Sequence, residues 1–431
     1  MTSSAEAARG GGVRSERAET GVSRRDRTDR FPGPRVVAGC FIVLTVTSGL
    51  GFYGLAVYLN AFSRERGWPV ASISLATTLF FVVSGVVGLT IARIIARRDV
   101  RVVIVAGGVL GAAALAVLGR VEQRWQLYLV YAVFAIGFSA AGLVPATTVV
   151  TRWYHRRRSV ALSIASTGLS VGGIIITPFA KWLIDRRGLE TATPILALVW
   201  VVGVVPVALW LVRPDPAGLG WTPDGDRVDF TQPVTPATGV PFDEAVRSRF
   251  YLAVTVGYLL VLGSQVGAIQ QLVKLVEERT DPDTAAAATI ALAGMSVVAR
   301  LAGGRIVPRI PMTGFTTGLA AVQAVAMVAI AFADGTVALF AAILLFGATV
   351  GNILMLQPLL IAERFGVVDY PRIFSRSQFF TMFGVAGGPL LLGWLYDQGG
   401  GYRTSYLVAA GCSLAGAAVL AWGGSATVRQ P

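Results

Sequence analysis

Arg300 is the residue best placed to do chemistry, because it sits in a run long and apolar enough to cross a membrane. From Ile290 the chain reads IALAGMSVVA before Arg300 and LAGG after it, up to Arg305. A guanidinium at that depth costs several kcal/mol in hydrocarbon, so it ordinarily faces a water-filled cavity or a partner. Its planar fork of N–H donors matches a carboxylate, and low dielectric strengthens that pair. The competing expectation is snorkelling, since about two turns separate Arg300 from the end of its run.

Other polar residues inside apolar runs are weaker candidates. Tyr53, Ser139, Gln265, Gln270 and Asn352 can each hydrogen-bond a carboxylate or hydroxyl, and each can equally bond a neighbouring helix. Gln270 and Asn352 are the preferred pair, with Phe138 shaping the space beside them. The only histidine, His155, lies in an arginine-rich loop. Cys40 and Cys412 fall in apolar runs near opposite ends of the chain. No hydrolytic triad, metal site or disulfide framework follows. The chain is therefore expected to be no enzyme, with no catalytic residue, metal or cofactor.

What must position Arg300 is a bundle of membrane helices. Hydrophobic residues make up 54% of 431, charged residues 14%, and the mean hydropathy is +0.65. A soluble chain of this length carries roughly a quarter charged residues. Long apolar runs recur at short intervals, each near the ~20 residues that span a bilayer as helix. They fall at about 36–62, 70–92, 102–119, 126–150, 160–184, 191–212, 251–275, 285–307, 314–333, 337–362, 379–397 and 405–424. The expected fold is an all-α polytopic membrane protein of twelve spans. It divides into an arm at 1–35, a six-helix bundle at 36–212, a linker at 213–250, a second bundle at 251–424 and a tail at 425–431. The linker is turn-rich, with RPDPAGLGWTPDGD and TQPVTPATGVP, and reads as a tether. Phe242 to Arg249 reads as a short surface helix.

The net charge of +13 raises the question of nucleic acid. With an even number of spans, 26 of the 37 Lys+Arg fall on the side of the termini and 10 on the other, Arg300 being the remaining one. This is the positive-inside distribution, which places both termini in the cytoplasm of a multi-pass plasma (inner) membrane protein. The arm interleaves its arginines with Glu6, Glu16, Glu19, Asp26 and Asp29 and has no aromatic residue before Phe31. It reads as a disordered, weakly membrane-attracted tail. The expected partners are the lipid bilayer and a small anionic molecule, not nucleic acid, and a monomer suffices.

The chain is written twice. Adding 216 takes Gly51 to Gly267, Gly88 to Gly304, Arg93 to Arg309, Gly168 to Gly384 and Gly172 to Gly388. Beyond that, an offset of 212 takes Trp182–Leu183–Ile184–Asp185 to Trp394–Leu395–Tyr396–Asp397. The four-residue shortening is about one helical turn and can be absorbed within a helix. Two six-span halves in one orientation are the architecture of parallel-repeat transporters, whose site lies between the halves near mid-membrane.

A family resemblance follows from particular residues. Trp153-Tyr154-His155-Arg156-Arg157-Arg158-Ser159, running on to Gly168, closely resembles the fifth-span signature of monocarboxylate-porter-like members of the major facilitator superfamily. Gly88 with Arg93 and Gly304 with Arg309 resemble that superfamily's G-x-x-x-D-R loop, lacking its Asp in both copies. Gly384, Gly388, Pro389, Gly393, Tyr396, Asp397 and Tyr402 resemble the eleventh-span pattern. Val298-Ala299-Arg300 is similar to the eighth-span V-A-R of animal monocarboxylate transporters, and oxalate–formate exchangers also carry an arginine in this span. The resemblance implies the major facilitator fold, with spans one, four, seven and ten lining the pathway.

The resemblance also implies roles. Arg300 would bind a substrate carboxylate, and Gly88, Arg93, Gly304 and Arg309 would form a gating latch, weakened by the lost Asp. Gly168, Gly172, Gly384 and Gly388 would suit the seam between halves as small-residue faces, with Pro178 and Pro389 kinking their spans. Departures limit the implication. Ser296 stands where animal porters have an acidic residue, no lysine lies near Tyr53 to Leu59, and Phe379 to Tyr396 holds no second cation. One cation suits one carboxylate per cycle. The expected activity is secondary transport of a small organic monocarboxylate across the plasma membrane by alternating access, with a proton as the hypothesised companion, carried by the substrate or by a site the sequence does not name. The alternative is export of amphipathic drug-like or secondary-metabolite compounds; Gly168-Leu-Ser-Val-Gly172-Gly173 lacks the proline of the usual exporter motif.

Overall fold

A computed structural model describes residues 31–226, 239–399 and 401–426. Most of the arm, the centre of the linker and the end of the tail lie outside the described residues. Among those described, eleven helical segments are long and apolar enough to span a membrane. One of them, Arg158–Trp210, is two spans, because Gly188 at φ 72°, ψ 167° breaks the helix. A left-handed φ of that kind is open to glycine at little cost. The twelve spans are α1 Gly33–Arg66, α2 Val70–Arg97, α3 Val100–Leu118, α4 Arg124–Trp153, α5 158–187, α6 189–210, α7 Arg249–Arg279, α8 Pro282–Ile306, α9 Met312–Phe332, α10 Thr336–Phe365, α11 Tyr370–Gly399 and α12 Tyr402–Gly423.

The expected boundaries shift in places. The first helix begins at Gly33, inside the expected arm, and α7 begins at Arg249, inside the expected linker. The largest difference is α11, which starts nine residues before the apolar run at Phe379. Its first turns carry Arg372, Ser375, Arg376 and Ser377. Helix continues there because the backbone satisfies itself within the segment whatever the side chains are.

Each half has its own core. In the first, Phe80, Phe134 and Trp200 pack ring on ring at 5.4 and 5.2 Å. In the second, Gln323 donates from Nε2 to Val261 O and to Ser413 Oγ, at 3.1 and 3.0 Å. Gln357 donates to Ser377 Oγ and Thr381 Oγ1, at 3.1 and 3.0 Å. Gln323 thus joins α9 to α7 and α12, and Gln357 joins α10 to α11, and such buried amides hold their helices in one register.

Phe31 and Ala426, the first and last described residues, sit on one face, here called the terminal face. Phe31 packs against Trp153 and Trp221 at 5.5 and 5.6 Å, and the Ala426 N–H donates to Thr313 Oγ1 at 2.9 Å. The linker is not a free tether over its described length. Its first part docks on the loop between α4 and α5, where Asp224 accepts the backbone N–H groups of His155, Arg156 and Arg157 at 3.1, 2.8 and 3.1 Å. Its last part docks on the second half: the Val240 N–H donates to Phe365 O and the Phe242 N–H to Asp369 Oδ2, both at 2.9 Å. The short helix expected there is Phe242–Ala245. Asp224→Ala should cost about 2 kcal/mol, since its nearly buried carboxylate takes charge-assisted bonds. Asp226→Ala, at an exposed pair with Arg156, should leave the melting temperature in detergent unchanged.

Gly168, Gly172, Gly384 and Gly388 pack within each half, not across the seam expected for them. A Cβ on Gly168 or Gly172 would meet Phe41 O at 2.3 Å or Thr45 O at 2.2 Å, both on α1. A Cβ on Gly384 or Gly388 would meet Leu259 O at 2.1 Å or Gly263 O at 2.0 Å, both on α7. So α5 lies on α1 as α11 lies on α7, and the sequence repeat is a repeat of packing. The four surplus residues of the first half fall just after Gly172, where the chain makes a π-helical turn, Gly172–Ile176. Four α-helical residues rotate a helix about 40° past a full turn; the wider π turn underwinds it and takes part of that back.

Candidate functional site

Arg300 is neither snorkelled nor lipid-facing. It is 1% exposed, six residues and so roughly 9 Å before the end of α8. Its Nε donates to Gly351 O on α10 at 2.6 Å. Its Nη1 donates to Ser166 O on α5. Those carbonyls belong to different halves, so one guanidinium ties the two together. Among the described residues, no carboxylate stands within ion-pair distance of it. Two of its five N–H donors are used by these carbonyls.

The helices can approach closely enough for this because small residues meet there. A Cβ on Gly351 would lie 1.9 Å from Ser296 O, and one on Gly303 would lie 1.7 Å from Asn352 Oδ1. Ser296, where animal porters have an acid, puts its hydroxyl 3.3 Å from that of Ser170 across the seam. Ser166, Ser170 and Gly351 escaped the sequence reading. Ser166 and Gly351 act through backbone carbonyls, which no side-chain pattern marks.

The other candidates divide. Asn352 is brought beside Arg300: it is buried, and its Nδ2 donates to Ala299 O and Ala348 O at 2.9 and 3.1 Å. Its Oδ1 has no partner among the described residues. Tyr53 is 39% exposed and within electrostatic range of Arg300. It follows a π turn in α1, Ser48–Phe52, that abuts the π turn of α5: Ser48 Oγ donates to Leu169 O at 2.8 Å and Thr177 Oγ1 to Gly49 O at 2.9 Å. π turns inside α-helices are frequent at functional sites. Gln265 is buried, and its Oε1 has no partner among the described residues. Gln270, expected to pair with Asn352, is exposed, whereas Asn352 and Arg300 are buried. Ser139 is engaged elsewhere, donating to Ser84 O at 3.0 Å, and Phe138 packs on Phe80 at 5.2 Å.

The expected loop latch is built differently. Arg93 is exposed, with no ion pair among the described residues, and Arg309 donates to Arg305 O of its own helix end. Gly88 packs against Ser139 within the first half, whereas Gly304 crosses the seam to Ser163. The terminal side is instead held shut through α5: Ser159 Oγ donates to Gly304 O at 2.9 Å, and Arg158 reaches Glu363 at 3.9 Å. Met355, Leu356 and Leu359 of α10 are buried in the core of the opposite half.

The sequence profile of the Major Facilitator Superfamily matches residues 41–366. Monocarboxylate transporter 13 of Rattus norvegicus is 26% identical over 419 residues, 93% of this chain and 90% of its own. The MFS transporter asaE of Aspergillus flavus is 27% identical over 290 residues, 65% of this chain and 61% of its own. The fold matches the Escherichia coli fucose:proton symporter FucP at a TM-score of 0.70 and 18% identity, over 93% of this chain and 100% of that one. It also matches the human organic anion transporter MFSD10 at 0.68 and 16% identity, over 91% and 100%. The chain belongs to the major facilitator superfamily, and is a multi-pass membrane transporter and not an enzyme.

Proposed function

We propose that this chain moves a small organic monocarboxylate, together with a proton, across the plasma membrane by alternating access of its two halves, with both termini in the cytoplasm. The observation that carries the reading is a buried guanidinium with no carboxylate beside it. Such a charge is costly while only neutral carbonyls compensate it, and a monoanion supplies what is missing. The name of the rat relative, and that of the human organic anion transporter, point the same way. With a cytoplasmic terminal face, the contacts around Ser159 and Gly304 close the cytoplasmic side.

The anion enters from the face opposite the termini and takes the N–H groups of Arg300 that the carbonyls leave free. It competes best with Ser166 O, the contact reaching into the first half. Losing that contact loosens the seam between α5 and α8, and the halves rock. Arg300 keeps its proton because a guanidinium hardly releases one, so the co-transported proton travels with the acid. A single cation suits a single carboxylate, which disfavours dianions.

The test is uptake into proteoliposomes of purified protein. Short monocarboxylates should accumulate under an inward proton gradient, while dicarboxylates should not. Expulsion of hydrophobic amines, with no monocarboxylate taken up, would overturn the reading in favour of a drug-type exporter. A second measurement addresses the rocking. Ser170→Cys with Ser296→Cys, in a Cys412→Ser background, places two thiols where hydroxyls now stand 3.3 Å apart. Oxidation should stop most uptake and reductant should restore it; unchanged uptake by the cross-linked protein would show that this seam need not open.

A further inference from the structure

A cavity of about 270 Å³ lies on the terminal side where α2 meets α11, and the transport reading does not use it. Three arginines line it: Arg93 from the end of α2, and Arg372 and Arg376 from the first turns of α11. The rest of the lining is Leu89, Phe242, Ser375, Phe379 and Phe380. We propose that this cavity binds the phosphodiester headgroup of an anionic phospholipid from the leaflet on the terminal side, and that the bound lipid favours the closed terminal face.

The charge is only partly compensated: among the described residues one carboxylate is engaged there, Asp369, which sits 3.5 Å from Arg372 Nη1 and already accepts the Phe242 N–H at 2.9 Å. Arg93 and Arg376 are exposed and have no ion pair among the described residues. Two guanidinium groups are held in place by the Phe242 ring, Arg372 at 4.4 Å and Arg376 at 5.7 Å from its centroid. A cation stacked on an aromatic face keeps its in-plane N–H groups for an anion. Ser375 adds a hydroxyl, which donates at present to Arg372 O at 3.1 Å.

A lipid fits better than free phosphate, because the lining is divided. The arginines face the helix ends, while Leu89, Phe379 and the 39%-exposed Phe380 offer apolar surface toward mid-membrane. That surface suits the start of acyl chains and gives nothing to an inorganic ion. The cavity also spans the seam: Leu89 and Arg93 belong to the first half and the remaining lining to the second side. A headgroup gripped by Arg93 and Arg376 therefore links the halves on the terminal side. The inference rests on the proposed orientation only in naming the leaflet as cytoplasmic; its test makes no use of transport.

The full chain is placed in nanodiscs of phosphatidylcholine alone, or with phosphatidylglycerol, and separately given inorganic phosphate at millimolar concentration. Phosphatidylglycerol should raise the melting temperature by several degrees and remain bound in native mass spectra. Arg93→Gln with Arg376→Gln should weaken that binding about tenfold relative to Arg97→Gln with Arg98→Gln, which removes equal charge at exposed positions outside the cavity. Both pairs of side chains are exposed, so both variants should fold, and equal melting in phosphatidylcholine checks that. Equal retention of phosphatidylglycerol by the two variants would overturn the proposal. So would the same stabilisation by inorganic phosphate, which would assign the cavity to a soluble anion, or equal melting with and without phosphatidylglycerol, which would remove the need for anionic charge.

Discussion

Arg300→Ala abolishes uptake while the protein still folds and reaches the membrane. The magnitude follows from what the side chain does. Truncating one partner of a buried, charge-assisted pair costs about 2–5 kcal/mol, which is roughly thirty- to several-thousandfold in kcat/KM for a monocarboxylate. Stability should change little, because removing an uncompensated buried charge offsets the loss of its bonds to Gly351 O and Ser166 O. Arg300→Lys tests geometry separately from charge. An ammonium on a flexible stem cannot grip carbonyls on two helices as a planar fork does, so uptake should still fall about tenfold or more. Near-normal uptake by the alanine variant, measured in proteoliposomes at matched protein content, would show that this arginine only fastens helices.

The second large effect is on folding, and it has an internal control. Gly388→Ala puts a methyl 2.0 Å from Gly263 O, and Gly172→Ala puts one 2.2 Å from Thr45 O. Backbone sits at both contacts, so neither clash is relieved by a rotamer change; the helices must part. Overpacking of that kind costs about 1–3 kcal/mol per site, and it strikes α11 on α7 and α5 on α1 alike. Gly387, the neighbour of Gly388 on the same helix, has nothing within 4 Å of the position its Cβ would take. Gly387→Ala should therefore melt no lower than the wild type, since helix propensity favours alanine. If Gly387→Ala and Gly388→Ala melted alike, close backbone approach would not be what fixes these glycines.

The spans were legible because hydrocarbon leaves the chain few choices: apolar runs of the right length become helices, and α1 to α12 fall where those runs lie. The repeat was legible too, and Gly168, Gly172, Gly384 and Gly388 show why. Helix contact demands a small residue at a fixed place, and that demand survives in both copies. Which neighbour each glycine touches is not written in the residue itself, so the expected seam was the wrong side of the helix. Arg300 stood out because its charge is out of keeping with its surroundings. Its fixed partners did not, since a carbonyl on Ser166 or Gly351 looks like any other carbonyl. Gln270 misled for a related reason: an amide in an apolar run carries no mark of the direction it faces. The docked linker was missed because Asp224 works through three backbone N–H groups of a loop distant in sequence.

The bond from Arg300 to the Ser166 carbonyl has a kinetic consequence. On the proposed function, an unloaded carrier must rupture that strap each time it turns over empty, whereas a carrier bearing an acid has already surrendered it. Flux with acid present on both sides, one molecule traded for another, should then outpace one-way filling. That asymmetry would come from a single main-chain oxygen and would hold for any acid that binds Arg300.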